Sequence, residues 1–257
     1  MRRLATALAL LLIACSAGPA VAERLVVSLS NHRVAVTSNF VGEELVLFGT
    51  IEPDPAGQLR PPYDLVVTVT GPQQTMRTRR KQRMLGIWVN VDSREFVSVP
   101  SYLAVLSNRP VAEIADQETL RKLQIGLNYF LLPQRIGPDV ADTVTDDPFR
   151  RAFVRLQRQQ GLYRESGTAV TFLTPTVFRT AIAMPAAVPT GTYAIEVELF
   201  SQGKLVARTN SALEVIKAGF EQYVADAARD YGLLYGMATA LMALLIGWFA
   251  SVVFRRD

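Results

Sequence analysis

The stretch GLLYGMATALMALLIGWFASVVF, Gly232 to Phe254, runs for 23 residues without a charged side chain. At about 1.5 Å of rise per residue it makes roughly 34 Å of helix, enough to cross a bilayer core of about 30 Å with some tilt. Backbone N–H and C=O groups in lipid must be paired within the segment, so one transmembrane α-helix is expected at 232–254, with the lipid bilayer as its partner. Tyr231 and Tyr235 stand at one end and Trp248 and Phe249 towards the other, where amphipathic rings prefer the interface. Arg255 and Arg256 follow at once, and positive flanks stay cytoplasmic, so residues 255–257 are expected as a short cytoplasmic tail. A mean hydropathy of +0.19 fits a chain that lies partly in lipid.

The N-terminal MRRLATALALLLIACSAGPAVAE is expected to be an export signal over residues 1–22. Arg2 and Arg3 supply the positive region, Leu4 to Ala14 the short apolar region, and Ala20-Val21-Ala22 the small-x-small site before Glu23. A rival reading sits inside it: Leu12-Ile13-Ala14-Cys15 also fits the pattern before a lipid-modified cysteine. Cys15 is the single cysteine, so ordinary cleavage leaves no thiol for a disulfide, a thiolate metal site or thiol catalysis. Together the two ends imply a single-pass protein of a bacterial inner membrane, with its N-terminal domain periplasmic and its C-terminus cytoplasmic. That placement excludes nucleic acid as the natural partner.

Within the span, Gly232, Gly236 and Ala240 recur every four residues, continued by Ala243 and Gly247. Such a stripe of small residues lets a second helix approach closely, which implies another transmembrane protein or self-association; the plainer reading is that Gly and Ala are common in any span. Residues 219–231 read as an amphipathic juxtamembrane segment, with Phe220, Tyr223, Val224, Ala227 and Tyr231 at helical spacing.

Residues 23–218 show short alternating apolar runs broken by Gly and Pro: RLVVSLS, RVAVTS, ELVLFGTIE, YDLVVTVTG, GIWVNVD, EFVSVP and YLAVLSN, then AVTFL, VFRTAIAM, GTYAIEVELF and KLVARTNSALEVI. The expected fold is mainly β, an immunoglobulin-like antiparallel β-sandwich, with Gln202-Gly203 as a hairpin turn. A helical insertion is expected at about 109–165. Asn108 or Asp116 suits a cap before Ile114, Leu120, Leu123 and Leu127, and Asp146-Asp147-Pro148 opens a second helix that Gly161 closes. Phe149, Ala152, Phe153 and Leu156 would pack on the sheet, leaving Arg150, Arg151, Arg155 and Arg158 as a basic outer face. PQRIGPDVADTVTDD between the helices reads as a surface loop.

The segment RTRRKQRMLGIWVN places five cations in the seven positions from Arg77 to Arg83. On a strand, Arg77, Arg79, Lys81 and Arg83 share one face, and Arg80, Gln82 and Met84 the other. One reading is a solvated edge strand on which cations discourage aggregation. The other is a contact face for anionic headgroups, an acidic partner or a small oxyanion, which Arg binds by charge-assisted hydrogen bonds.

No catalytic, cofactor-binding or metal-binding residues emerge. His32 is the single histidine and reads as a turn residue; Glu43-Glu44 and Asp146-Asp147 read as a strand edge and a helix start; no Gly-rich phosphate loop, dinucleotide fingerprint or Gly-x-Ser-x-Gly segment occurs. A hydrolase with a nonstandard site is the weakest class; a non-enzymatic protein is expected.

The strings FVGEELVLFGTIE, RKQRMLGIWVN, VPSYLAVLSNRP, QIGLNYF, GTYAIEVELFSQGKLV and GFEQYVADAARDYGLLYGMATALMALLIGWFASVVFRR together resemble the alphaproteobacterial putative transmembrane protein family, a domain of unknown function. The resemblance covers the whole mature chain. It implies an exported single-pass inner-membrane protein of unassigned activity, and neighbourhoods that encode a sulfite-exporter-type permease. It supplies no functional residues. The expected function is an accessory or scaffolding partner of a membrane protein, an anion permease of the sulfite type among them; the alternative is a tethered module that takes an anionic ligand or envelope polymer through the basic strand.

Overall fold

Where apolar residues alternate with polar ones the chain buries one face, and where they run together it buries both. Val177–Pro185 shows the first pattern, with Phe178, Thr180, Ile182 and Met184 buried, and Tyr63–Thr70 the second, with Tyr63 to Val67 all buried. The computed structural model describes residues 23–53, 62–136, 139–143, 146–219, 223–224 and 228–253. Residues 1–22 with Cys15, where an export signal is expected, residues 220–222 and 225–227 of the juxtamembrane segment 219–231, and residues 254–257 with the tail lie outside the described residues.

In chain order the strands are β1 (Arg24–Leu29), β2 (Arg33–Val36), β3 (Gly42–Glu52), β4 (Tyr63–Thr70), β5 (Gln73–Met84), β6 (Ile87–Pro100), β7 (Leu103–Ser107), β8 (Pro133–Ile136), β9 (Asp139–Asp142), β10 (Tyr163–Ser166), β11 (Val170–Phe172), β12 (Val177–Pro185), β13 (Gly191–Ser201) and β14 (Lys204–Lys217). The helices are α1 (Val111–Ile114), α2 (Gln117–Leu123), α3 (Pro148–Gln159) and α4 (Gly232–Val253). Three sheets result, in the orders β1-β3-β12-β11, β10-β7-β4-β13-β14-β2 and β5-β6-β8-β9.

The first two sheets share one core: Leu45, Leu47, Phe178 and Ile182 of the four-stranded sheet join Val67, Ile195, Val197 and Leu213 of the six-stranded one. The other face of the six-stranded sheet carries Val66, Val105 and Phe200, which Ile114, Leu120 and Ile125 cover. Covering on both faces is why β4 reads as the unbroken apolar run YDLVVTVT. The mainly β layered architecture and the C-terminal apolar helix follow the sequence expectation.

Four details differ from it. The order is not antiparallel throughout: β10 joins β7, and β2 joins β14, in parallel. Parallel neighbours need a crossover, and the segment 108–162 with its helices supplies the one between β7 and β10. PQRIGPDVADTVTDD contributes the pair β8 and β9 to the third sheet, so the helical insertion is realised only in part. GIWVNVD and EFVSVP form one strand, β6, bent by register shifts opposite Gln74–Met76 and Arg80–Lys81, the first marked by Ser98 at φ +51°.

Helix termini account for the fourth. Asp116 caps α2 by accepting from the Thr119 N–H at 3.4 Å, and Asp147 caps α3 by accepting from Phe149 at 2.8 Å and Arg150 at 3.0 Å. Asn108 is no cap: its Oδ1 accepts from the Leu65 N–H at 2.8 Å and its Nδ2 donates to Asp64 at 3.1 Å, beside the Arg109 fork on the same carboxylate at 2.6 and 2.5 Å. Leu127 lies beyond α2, and Leu156 of α3 is 45% exposed, whereas Phe149, Arg150, Phe153 and Gln157 are buried. The turn Gln202-Gly203 has φ of +51° and +80°, as a two-residue hairpin with both central residues left-handed requires.

Candidate functional site

The base of the β5–β6 hairpin is fixed to the body by aromatic packing. Phe96 of β6 lies 5.0 Å from Phe153 of α3, which in turn meets Tyr163 of β10 at 5.7 Å edge to face. Gln157 of α3 donates to the Met76 sulfur at 3.0 Å, and the Tyr163 hydroxyl donates to the Pro100 carbonyl at 2.6 Å. Thr78 is the last buried residue of β5, and from Arg79 to Met84 every residue of that strand is exposed. The two strands stay paired out to Met84 opposite Ile87, and the turn Leu85-Gly86 takes φ of +49° and +88°. The hairpin is therefore an arm.

The arm carries the cations singled out from sequence. Arg77 and Arg79 flank buried Thr78 on the opposite face; Lys81 and Arg83 follow at the next alternate positions, past the shift between Arg80 and Lys81. Arg77 pairs with Glu95 across the ladder at 3.2 Å, and Arg135 approaches the same carboxylate at 3.7 Å. Arg80 stands 4.0 Å from Asp92, and the Arg83 Nε donates to the Gly86 carbonyl at 3.4 Å. Arg79 and Lys81 have no ion-pair or hydrogen-bond partner among the described residues. Sequence reasoning took Ile87 and Trp88 for an ordinary strand; in the fold Met84, Leu85, Ile87 and Trp88 are 52, 104, 65 and 68% exposed, an apolar tip in front of the cations.

The basic face of α3 is smaller than expected. Arg150 is 4% exposed, donates to the Phe130 carbonyl at 2.7 Å and to Thr143 Oγ1 at 3.2 Å, and lies 5.0 Å over the Phe130 ring. Burial pulls its pKa down, opposed by Asp142 at 3.8 Å. It is a structural pin, and the expected cationic face reduces to Arg151, which pairs with Asp146 at 3.2 Å, and to Arg155 and Arg158; all four arginines line a cavity of about 420 Å³.

On α4 no described side chain is buried. A Cβ built at Gly232 or Gly236 meets nothing within 4 Å, so the stripe with Ala240 is bare in the single chain. Thr239, within the span, turns its hydroxyl back to the carbonyls of Tyr235 at 3.0 Å and Gly236 at 2.9 Å, which spares lipid an unpaired donor. Among the described residues no group of three or more His, Cys, Asp or Glu is arranged to hold a metal.

One buried acid escaped the sequence reading. Glu198 of β13 is 1% exposed, neither carboxylate oxygen has a hydrogen-bond partner among the described residues, and Arg208 stands with its Nε at 3.5 Å. Burial first, then the neighbouring Glu196, push its pKa up to about 7, with Arg208 opposing. The folded-state value lies above the ordinary 4.5, so this group's contribution to stability is complete below about pH 4.5 and is lost as pH rises through about 7. Thermal unfolding at stepped pH should show a loss on the order of 3–4 kcal/mol across that window, at about 1.4 kcal/mol per pKa unit, and Glu198→Gln should flatten it. An unchanged slope in the variant would assign the loss to another group.

Residues 24–256 match the family described as "Putative transmembrane protein (Alph_Pro_TM)". The chain belongs to this family. As a member of Alph_Pro_TM it is a membrane protein with one C-terminal candidate span, the 22 residues of α4. The family carries no assigned chemistry. No curated protein matches the chain. Among solved structures it is similar to the N-terminal domain of the Streptococcus gordonii adhesin Sgo0707, at 8% identity and a TM-score of 0.28, covering 75% of this chain and 32% of that one. This chain thus spans about a third of that structure's length, and a likeness so low carries no argument.

Proposed function

We propose that this Alph_Pro_TM protein is a non-catalytic, single-pass inner-membrane protein whose β-rich domain, immunoglobulin-like in its layering, lies on the periplasmic side and serves as accessory or scaffold to a second membrane protein. The observation that carries this reading is the bare stripe Gly232, Gly236 and Ala240 on a span that buries none of its own side chains. Lipid tails are as apolar as Leu, so helices associate in a bilayer through close packing, which small residues permit. The cations Arg255 and Arg256 favour a cytoplasmic C-terminus, and the N-terminal apolar segment favours export of the rest. An anion permease of the sulfite-exporter type is the partner class the family resemblance implies.

Photocrosslinking in native membranes tests it. Replacing Gly232 and Gly236 by Leu should cut the crosslinked heteromeric or homomeric product roughly five- to thirtyfold, the equivalent of about 1–2 kcal/mol of helix packing. Met242→Leu, which leaves the stripe intact, should not. Undiminished product in the Gly variant would remove α4 as the docking surface.

A second reading, a tethered module that takes an anionic ligand or envelope polymer through Arg77, Arg79, Lys81 and Arg83, is favoured by Arg79 and Lys81, which no acid among the described residues neutralises.

A further inference from the structure

The far end of the β5–β6 arm combines two properties that a solvated strand does not need together. Its last rungs expose Met84, Leu85, Ile87 and Trp88 side by side, and the rungs just behind hold Arg79, Arg80, Lys81 and Arg83 against a single acid, Asp92. Cations alone suffice to protect an edge strand from pairing. They do not explain a fully exposed Leu beside an exposed Trp, a combination that marks a contact surface.

We propose that this tip rests in the headgroup interface of an anionic phospholipid leaflet, with Met84, Leu85, Ile87 and Trp88 at the acyl boundary and Arg79, Arg80, Lys81 and Arg83 on lipid phosphates. The proposal rests on the reading of the arm as an anion-binding face and names the anion. Three features favour a bilayer over a protein as occupant. The order along the arm, apolar turn, then Trp88 opposite Arg83, then further cations, follows the polarity profile from acyl chains to headgroups. Pairing continues to the Met84–Ile87 rung, so the backbone groups of the tip are largely satisfied before it meets a medium that offers few partners. The chain also brings its own bilayer: 14 residues, 218–231, separate the end of β14 from α4, a reach of at most about 50 Å at 3.3–3.6 Å per residue. The six residues Arg79–Met84 extend roughly 20 Å beyond the last buried rung at about 3.4 Å each. A tethered tip thus samples the membrane surface at high effective concentration. Of the four cations, Arg79 and Lys81 have no acid among the described residues to release before binding phosphate.

The chain contains two tryptophans, Trp88 and Trp248, so Trp248→Phe leaves Trp88 as the only indole reporter in an otherwise full-length protein. This protein is reconstituted in nanodiscs of phosphatidylethanolamine with phosphatidylglycerol, or of phosphatidylcholine alone, each with and without brominated acyl chains. Trp88 emission should be blue-shifted and quenched by bromine in the anionic discs, and nearer to that of a solvated indole in phosphatidylcholine. Adding R79Q, R80Q, K81Q and R83Q should abolish the difference, each neutralised cation weakening the contact about fivefold. Far-UV circular dichroism checks that each variant keeps its strands. Acylation of Lys81, followed by mass spectrometry, reports on the cations separately. Trp88 unquenched with Lys81 protected only in anionic discs would overturn insertion and leave the anion-binding reading standing. Trp88 unquenched with Lys81 equally reactive in both discs would overturn both. Trp88 shielded from acrylamide yet unaffected by bromine would place a protein on the tip and also overturn the proposal.

Discussion

Replacing Arg150 with Met is expected to lower the unfolding free energy by about 2–6 kcal/mol, from two buried acceptors that lose this donor at about 1–3 kcal/mol each, the lower end if Thr143, which still donates to the Leu132 carbonyl, loses little. The guanidinium is 4% exposed, and its fork ties three segments together: α3 itself, the Phe130 carbonyl at 2.7 Å and the Thr143 hydroxyl at 3.2 Å. Met retains the apolar stem over the Phe130 ring and so separates lost hydrogen bonds from lost packing. Lys is no substitute, because one ammonium cannot reproduce the planar fork, and Arg150→Lys should recover less than half of the loss. Arg151→Met, one residue away, removes an ion pair whose members are 64 and 88% exposed and should cost about 0.5 kcal/mol or less. Urea unfolding followed by circular dichroism compares the three. Equal losses for Arg150→Met and Arg151→Met would show that the buried fork contributes nothing beyond a surface charge. Of the four cations of α3 that line the cavity, Arg150 is committed to the fold, whereas Arg151, Arg155 and Arg158 are exposed.

That distinction between pin and patch was not legible in the sequence. Spacings of 3, 4 and 7 from Phe149 select Leu156, but 4 and 8 select Phe153 and Gln157, and the helix uses the second set. The choice depends on what lies opposite, and the acceptors for Arg150 come from residues 20 positions earlier and 7 earlier. Local chemistry was legible: Asp147 before Pro148, Gln202-Gly203 at a hairpin and the uncharged 23-residue run all act over a few neighbouring residues or through composition. The cations of β5 were legible for the same reason, since alternation is a property of the strand itself. The exposure of Trp88 was not, because an apolar strand is read as core until the fold shows that no residue of β6 before Phe96 is buried. Parallel pairing of β2 with β14 and of β10 with β7 likewise joins segments that carry no mutual signal. Pro, Gly and Asp in PQRIGPDVADTVTDD favour a turn, yet Phe96 of the bent β6 pairs with Gln134 and draws β8 into the sheet.

Phe178→Ala is expected to cost about 3–5 kcal/mol, and Gly49→Ala about 1–3 kcal/mol, for one shared reason. The two residues are direct partners across β3 and β12, and the Phe178 ring occupies the space above Gly49. A Cβ on residue 49 would lie 2.2 Å from the ring Cζ and 2.8 Å from both Cε atoms, closer than any real contact. The ring cannot swing away, because it is 0% exposed and Phe172 meets it edge to face at 6.1 Å. Gly inside a strand is normally a weakness; here the aromatic ring covers the backbone it leaves bare. The double-mutant cycle separates this account from a general loss of core volume. In a Phe178→Leu background, where the distal ring atoms are gone, Gly49→Ala should cost at least 1 kcal/mol less than in the wild-type chain, a coupling within the range found for residues in contact. Additive losses would mean that something other than the ring excludes the methyl group. The pair sits in the sheet β1-β3-β12-β11, which shares no strand with the arm, so Gly49→Ala should lower the melting temperature while leaving bromine quenching of Trp88 unchanged below it. Stability of the scaffold and the chemistry of the tip are then separable, as they must be if the arm acts through its own exposed rungs rather than through the core that holds its base.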